Sequence, residues 1–532
     1  MRTSVVSSLV LPVLALMSPA LRAQPGAMFH VELSPQAAKA AGVEPADAKG
    51  RLVVFIIGPG SKLAAGTDPI DGPFWDDPQP LFGVDVASFA QPATVDDRAT
   101  SFPIAPGALK PGDYVAQARF DRFRADSDWK REPGNLFSAP VKFTIAQGAR
   151  ADVKLTLTEV VKPDTRQRQA EVVSVESKLV SDFHSGQGKP VTLRAAVSKP
   201  LNYDPTRKYP AVYVVPGFGG NHLSGARELG MGPATAALRQ HAFVIGLDPE
   251  SGNGHTLFAD SDVNGPRGRA LIEELIPAIE ARFPLIREPS ARVLRGHSSG
   301  GWSTLWLALT YPETFGACWS SAPDPVSFEA FQSVNIYSDE NFYQAGGVEH
   351  VSYRKNGKDL MTIRQESGGE HVLGPDFTSG QQWASWMAVF GPAASPGNPA
   401  KLFDPVTGAI DRAVAEKFAK YDITRLVKAS PEKYAPLFAR SVHLVVGDQD
   451  NFFLERGVAK LKAVTDTLAR DKDATGYVKV VPGFDHGTIF GSAELRQFPL
   501  EILAHFRARG HAPAESPKPE TPAPETKDVP KP

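Results

Sequence analysis

The sequence predicts a chain in two folded parts: a small all-β sandwich, then an α/β domain built on a mostly parallel sheet flanked by helices. Three observations lead there. Residues 24–162 hold short alternating or β-branched runs cut by Pro, Gly and Asp clusters, with no helical period beyond Pro35 to Ala41. From 171 to 510, apolar runs of strand length alternate with stretches of helical spacing, the pattern of parallel strands joined by crossover helices. Within that second part, Arg292-Val293-Leu294-Arg295 runs into Gly296-His297-Ser298-Ser299-Gly300 and then a helix-like run, the strand–turn–helix signature of an exposed serine.

The 532 residues suffice for more than one core, and 42% hydrophobic with 22% charged residues is a globular composition. Fifty-seven Lys plus Arg stand against 59 Asp plus Glu. That balance leaves no electrostatic footprint for nucleic acid or an anionic membrane, so neither is expected as a partner. The single Cys318 excludes an intramolecular disulfide or a multi-cysteine metal site. His, Asp and Glu do not cluster at zinc-ligand spacing and no phosphate loop occurs, so neither metal nor organic cofactor is expected. Oligomeric state is left open.

Taken in order, residues 1–23 have the three parts of a secretory signal: Arg2, the apolar run Leu9 to Met17, and Leu21-Arg22-Ala23, with cleavage placed after Ala23. No later stretch approaches the roughly 20 apolar residues of a membrane span. The expectation is an exported, soluble protein, periplasmic or extracellular. In 24–162, Leu52 to Ile57, Tyr114 to Phe120, Val141 to Ile145 and Val153 to Leu157 read as strands of an immunoglobulin- or transthyretin-like sandwich, with Lys110-Pro111-Gly112-Asp113 as a turn entering the second. Phe74, Trp75 and Trp129 are candidates for a carbohydrate-stacking surface or for packing. The polar stretch 163–170 marks the boundary. Glu171 to Ser181 and Pro190 to Val197 read as a strand pair with a turn at 186–188. Tyr209 to Val215 and Phe243 to Asp248 are uninterrupted apolar runs, as strands buried on both faces require, and Arg269 to Phe283 has helical spacing. An insertion at about 326–440, with Trp383, Trp386 and Phe390, is either a lid or a set of packed elements. Residues 511–532 are a Pro/Glu/Lys tail with too little apolar content to fold.

In the Gly-x-Ser-x-Gly turn, Ser298 is read as a nucleophile, and the Ser299 amide at the start of the following helix can stabilise an oxyanion. A serine hydroxyl needs an imidazole base and a carboxylate to orient it. His486, in the glycine-flanked loop after strand Tyr477 to Val481, is the candidate base. After strand Val442 to Val446 come Asp448 and Asp450, and Asp324 follows an earlier strand; all three are candidate acids. Pocket candidates are Gly217, His255, Asn264, His297 and Trp302, with the polar stretch His255 to Arg267 as a wall.

Tyr209-Pro210-Ala211-Val212-Tyr213-Val214-Val215-Pro216-Gly217-Phe218-Gly219-Gly220, then Glu274 to Glu280, then Gly296-His297-Ser298-Ser299-Gly300-Gly301-Trp302 together resemble the esterase family of α/β-hydrolases that includes esterase D, enterochelin esterase and feruloyl or acetyl-xylan esterase-like proteins. The likeness covers roughly 200 to 325 and again 440 to 490. It implies an α/β-hydrolase fold, a Ser-His-Asp triad of Ser298, His486 and Asp450, selected by the family's Gly-x-x-Asp pattern, and an oxyanion hole from the Phe218 and Ser299 amides. One departure is Pro216-Gly217 where many relatives have His-Gly. The implied function is an exported serine carboxylester hydrolase working through an acyl-enzyme on a small-molecule or carbohydrate-linked ester. An acyltransferase on the same triad, or a catalytically silent carbohydrate- or siderophore-binding protein, are the alternatives.

Overall fold

Two large hydrogen-bonded sheets carry the chain, and one helix of the second part packs on the first of them. The computed structural model describes residues 26–123, 128, 130–163, 170–185, 190–225 and 229–514. The signal sequence, Trp129, residues 164–169 of the boundary, the turn 186–188 and the tail from 515 lie outside the described residues. Among those described, no helix is long and apolar enough to cross a membrane.

The first sheet is formed by β1 (Gly26–Leu33), β2 (Gly50–Ile57), β3 (Leu81–Val86), β4 (Ala93–Val95), β5 (Thr100–Phe102), β6 (Gly112–Asp121), β7 (Leu136–Ser138), β8 (Val141–Ile145) and β9 (Arg150–Val160). Its strands follow one path, β4-β1-β9-β7-β6-β2-β3-β5, with β8 also on β6. Short β7 is the joint, pairing with both β6 and β9. Phe29 and Leu155 from one side of this joint meet Leu52, Val54 and Phe120 from the other in a single apolar cluster, with the Phe29 and Phe82 rings 5.8 Å apart.

The second sheet contains β10 (Glu171–Glu176), β11 (Thr192–Ser198), β12 (Ala211–Val215), β13 (Phe243–Leu247), β14 (Arg292–His297), β15 (Ala317–Ser321), β16 (Val442–Gly447) and β17 (Tyr477–Val481). Its order is β10-β11-β13-β12-β14-β15-β16-β17, and only β11 runs against the rest. Tyr213 and Val215 of β12 enter the cluster that holds Trp302 and Leu305 of α1 (Ser299–Thr310). Val212 and Val214 point the other way, into the cluster with Phe498 and Ile502 of the C-terminal helix Ala493–Ala508. Burial on both faces is why these strands read as unbroken apolar runs.

The sequence reading of 171–181 as one extended run is corrected. The strand ends at Glu176 and Lys178–Phe183 is helical. Ser177 Oγ accepts the Val180 amide at 3.1 Å and the Glu274 carboxylate accepts the Leu179 amide at 2.9 Å. These acceptors satisfy the first turn's orphan donors and outweigh the local strand preference.

Between β15 and β16, α2 (Ile363–Leu373) and α3 (Gln382–Phe390) are packed elements. Trp383, Trp386 and Phe390 are buried in the main core. Helix α2 also covers the outer face of the first sheet, where Val53, Phe55 and Leu81 pack against Val372 and Leu373. Both faces of β2 are thus buried. Arg51, on the same strand, sends Nε and Nη2 to the Val372 carbonyl at 3.1 and 2.8 Å, and lies 3.2 Å from Asp85. Replacing it as Arg51→Met removes the donors and strands a buried carbonyl, a loss of roughly 1–3 kcal/mol. Urea denaturation followed by tryptophan fluorescence should show an earlier first transition; an unchanged midpoint would remove Arg51 from the account of how α2 is held.

Candidate active site

From β12 the chain crosses to β13 on one side and later to β14 on the other, so the strand order reverses between β12 and β14. Such a switch point leaves a crevice at the carboxyl ends of the two strands, where ligands of open α/β sheets bind. The Pro216-Gly217-Phe218 loop leaves β12 there, and Ser298 leaves β14.

Ser298 has φ 58° and ψ −126°, a strained conformation for a residue with a side chain, costing on the order of 1–3 kcal/mol. Its surroundings hold it. The Ser298 amide donates to the Ser321 carbonyl at 3.0 Å, and the Asp324 amide donates to the Ser298 carbonyl at 3.3 Å. The flanking glycines are steric necessities. A Cβ on Gly296 would lie 2.1 Å from the Gly300 carbonyl oxygen, and one on Gly300 would lie 2.0 Å from that of Val215. Opposite, the bare Gly217 lets the loop close to where an added Cβ would be 3.4 Å from Ser298 Cβ. Ser299 opens α1, so its amide has no acceptor within the helix.

His486 and Asp450 meet at 2.7 Å, Nδ1 to Oδ2. Asp450 is fully buried, and its Oδ1 accepts the Phe452 amide at 2.9 Å. Of the other two aspartates, Asp448 accepts the Gly483 amide and Asp324 accepts from the Ser299 hydroxyl at 2.7 Å. The hairpin strand Val351–Lys355 of the insertion fastens this corner. Arg354 Nε donates to the Asp450 carbonyl at 3.0 Å, Asn451 Nδ2 donates to the Arg354 carbonyl at 2.7 Å, and the His486 amide donates to Asn451 Oδ1 at 3.1 Å.

Ser298, His486, Gly217, Phe218 and His297 line one cavity of about 470 Å³. Ser299 is buried behind it, its hydroxyl turned to Asp324. Three residues read as pocket candidates lie elsewhere. His255 is fully buried, with Nε2 donating to the Pro216 carbonyl at 2.9 Å and Nδ1 accepting the Leu257 amide, so it props the loop from behind. Trp302 is in the core, stacked on Trp306 at 5.1 Å. Asn264 borders a different surface cleft, because its stretch buttresses α3, with Ser261 Oγ on the Ala388 carbonyl. The remaining walls come from unanticipated places: Gln332, Glu366, Gln382 and Trp386 of the insertion, Asp324, Phe452, and Trp75 of the first sheet's loops. Trp75 packs 5.7 Å from Tyr353 and 5.9 Å from Phe452, so of its two sequence readings the packing one describes its setting.

The cavity is acidic and lacks a lysine or arginine among its lining residues. Burial pushes the Asp324 carboxyl up to about 6, against the pull of Trp386, Ser299 and Gln382. Burial by itself favours neutral His486; the charge and hydrogen bond of Asp450, with Asp324 and Asp485, reverse this and raise it above the ordinary imidazole value. His297 goes the other way, held well below that value by burial, with His486 and Arg295 adding to the effect.

The family model described as "Putative esterase" matches residues 191–493, more than half the chain. No curated protein sequence matches the chain. Among solved structures, it resembles an S-formylglutathione hydrolase from Agrobacterium tumefaciens at 15% identity, covering 64% of this chain and 97% of that one with a TM-score of 0.38. A fluorophosphonate-binding serine hydrolase of Staphylococcus aureus is 13% identical, with 63% and 99% covered and a TM-score of 0.36. A ferulic acid esterase from Anaeromyces mucronatus, solved with ferulic acid, is 13% identical, with 65% and 94% covered and a TM-score of 0.30. These likenesses are distant and the assignment rests on the family match: the chain belongs to the esterase family of α/β-hydrolases and is a serine esterase.

Proposed function

We propose that the chain is an exported carboxylester hydrolase in which Ser298, His486 and Asp450 form the catalytic triad. The observation that carries this reading is the 2.7 Å contact of His486 Nδ1 with a fully buried Asp450, in the cavity that Ser298 enters from a strained elbow. With Nδ1 on the carboxylate, Nε2 is the nitrogen left to exchange a proton with the serine. Ser298 Oγ attacks the ester carbonyl as His486 takes its proton, and Asp450 stabilises the imidazolium. The Phe218 and Ser299 amides hold the oxyanion. His486 then protonates the departing alkoxide, leaving an acyl group on Ser298. Water, deprotonated by His486, releases the acid and restores the serine.

We read the first sheet as a β-sandwich closed at β7, spanning 24–162; its support is the one cluster shared by residues on both sides of the joint. The catalytic domain is taken as 171–510 with the insertion at about 326–440. Export is supported by the register of the first strand. Cleavage after Ala23 would leave Gln24 and Pro25 ahead of Gly26, which already pairs with Arg150.

Ser298→Ala and His486→Ala should each lower kcat/KM for p-nitrophenyl acetate by roughly 10⁴–10⁶-fold with an unchanged melting curve, and a fluorophosphonate probe should label the parent chain at Ser298. Asp450→Asn should cost on the order of 10⁴-fold by disturbing the imidazole tautomer. Hydrolysis surviving in Ser298→Ala would end this reading. Because His486 must be neutral to act and its pKa is raised, kcat/KM should fall on the acid side with a midpoint above 6.5. Asp324→Asn removes a charge that favours the imidazolium, so its pH profile should shift to lower pH; a shift upward would contradict the assigned electrostatics.

A further inference from the structure

Next to the cavity of Ser298 lies a smaller chamber of about 40 Å³ between α2 and the first sheet's loops. Trp75, Phe218, Glu366 and Gln382 border both spaces. Three carboxylates stand in these walls, each at least nine-tenths buried. Two are satisfied. Asp324 Oδ2 accepts from Ser299 Oγ, Trp386 Nε1 and Gln382 Nε2 at 2.7, 2.8 and 3.3 Å. Glu370 accepts the Trp383 and Ala384 amides at 3.0 and 3.1 Å, one on each oxygen, at the start of α3.

Glu366 differs. Its Oε2 is buried without a hydrogen-bond partner, and so is the Oε1 of Gln332 on the same cavity wall. Both orphaned atoms are acceptors, and no lysine or arginine among the described residues lines either chamber. A buried, unpaired acceptor is destabilising until a donor reaches it, and a buried carboxylate most of all. Four aromatic side chains share the lining with these acceptors: Trp75, Phe218, Trp386 and Phe452. Rings and a carboxylate together suit an organic cation, whose charge pairs with the carboxylate and whose body lies against ring faces.

We infer that this site binds esters carrying a protonated amine, with Glu366 as the anchor of the ammonium group. The inference rests on the esterase reading of the same cavity. A neutral hydroxyl could pair with the same carboxylate, but would leave its charge uncompensated in a low-dielectric wall. Burial drives Glu366 up to about 7 against the pull of the Ser352 and Trp383 side chains, so an arriving ammonium group would also hold it in its charged form.

Three probes of one shape separate charge from hydrogen bonding and from bulk: 2-phenylethylammonium, 2-phenylethanol and propylbenzene. Calorimetric titration of the full mature chain should give a Kd for the ammonium about tenfold to a hundredfold below that of the alcohol, the range for a charge-assisted hydrogen bond, with propylbenzene weakest. Glu366→Gln should bring the ammonium and the alcohol to within about twofold, and Glu366→Asp should keep part of the difference; melting curves establish that each variant is folded. Equal affinities, tighter binding of the alcohol, or an ammonium preference that persists in Glu366→Gln would overturn the inference. Binding is read without turnover, so failure of the esterase reading appears separately, as absent p-nitrophenyl acetate hydrolysis and absent fluorophosphonate labelling.

Discussion

Everything at the site depends on how closely the ends of two neighbouring strands approach. Gly300 faces the Val215 carbonyl across a gap that a single Cβ would close to 2.0 Å, while Gly296 is pressed on Gly300 itself. Because β12 and β14 are hydrogen-bonded neighbours, the loop leaving one and the serine leaving the other open into the same crevice. The strained Ser298 backbone is held from the far side, where strand β15 supplies the Ser321 carbonyl to its amide and the Asp324 amide donates to its carbonyl. Larger residues at either glycine would separate the strand ends, and the serine would lose both its conformation and its proximity to the Gly217 loop.

Helix α2 extends this coupling outward. Its Val372 and Leu373 cover the face of β2 that the first sheet's own core leaves bare, while Glu366, less than two turns earlier, faces the cavity. The hairpin preceding it grips the acid loop through Arg354 and Asn451. The segment between β15 and β16 is therefore structural to the site on two sides, and the first sheet reaches the cavity through Trp75 because α2 brings the two surfaces together.

These relations were unevenly legible in the sequence. The elbow was, since its glycines, its strand and its helix are adjacent in the chain and each is dictated by local sterics. The paired burial of β2 was half-legible: Leu52-Val53-Val54-Phe55-Ile56-Ile57 has no polar alternation, which signals that something covers its second face without saying what. The helix at Lys178–Phe183 is only six residues long; its Ser177 cap is local and was legible, but the second acceptor of its first turn is Glu274, 95 residues away from Leu179. His255, Asn264 and Trp302 were drawn toward the pocket by proximity to motifs, yet the polar stretch holding the first two is engaged with α3 and the Pro216 carbonyl. Glu366 carried no signal at all. On a helix a buried glutamate looks like a solvated one, and only the packing of α2 against its neighbours separates them.

The acidic walls pose an electrostatic problem that bears on the chemistry. In the proposed mechanism a negative cavity would favour the imidazolium formed as His486 accepts the serine's proton, but would oppose the oxyanion formed at the same moment. The structure restrains the second effect. Three donors converge on Asp324 Oδ2, and two helix amides face Glu370, so those charges are partly neutralised where they stand. Glu366 has no hydrogen-bond partner on Oε2 and only the Ser352 and Trp383 side chains pull against its burial, so much of its neutralisation falls to a proton or to what enters the cavity. A cationic group on the ester would satisfy the carboxylate and relieve the field against the oxyanion together. Part of its binding energy would then appear only as charge develops at the carbonyl, which is where binding energy accelerates a reaction rather than merely retaining a substrate.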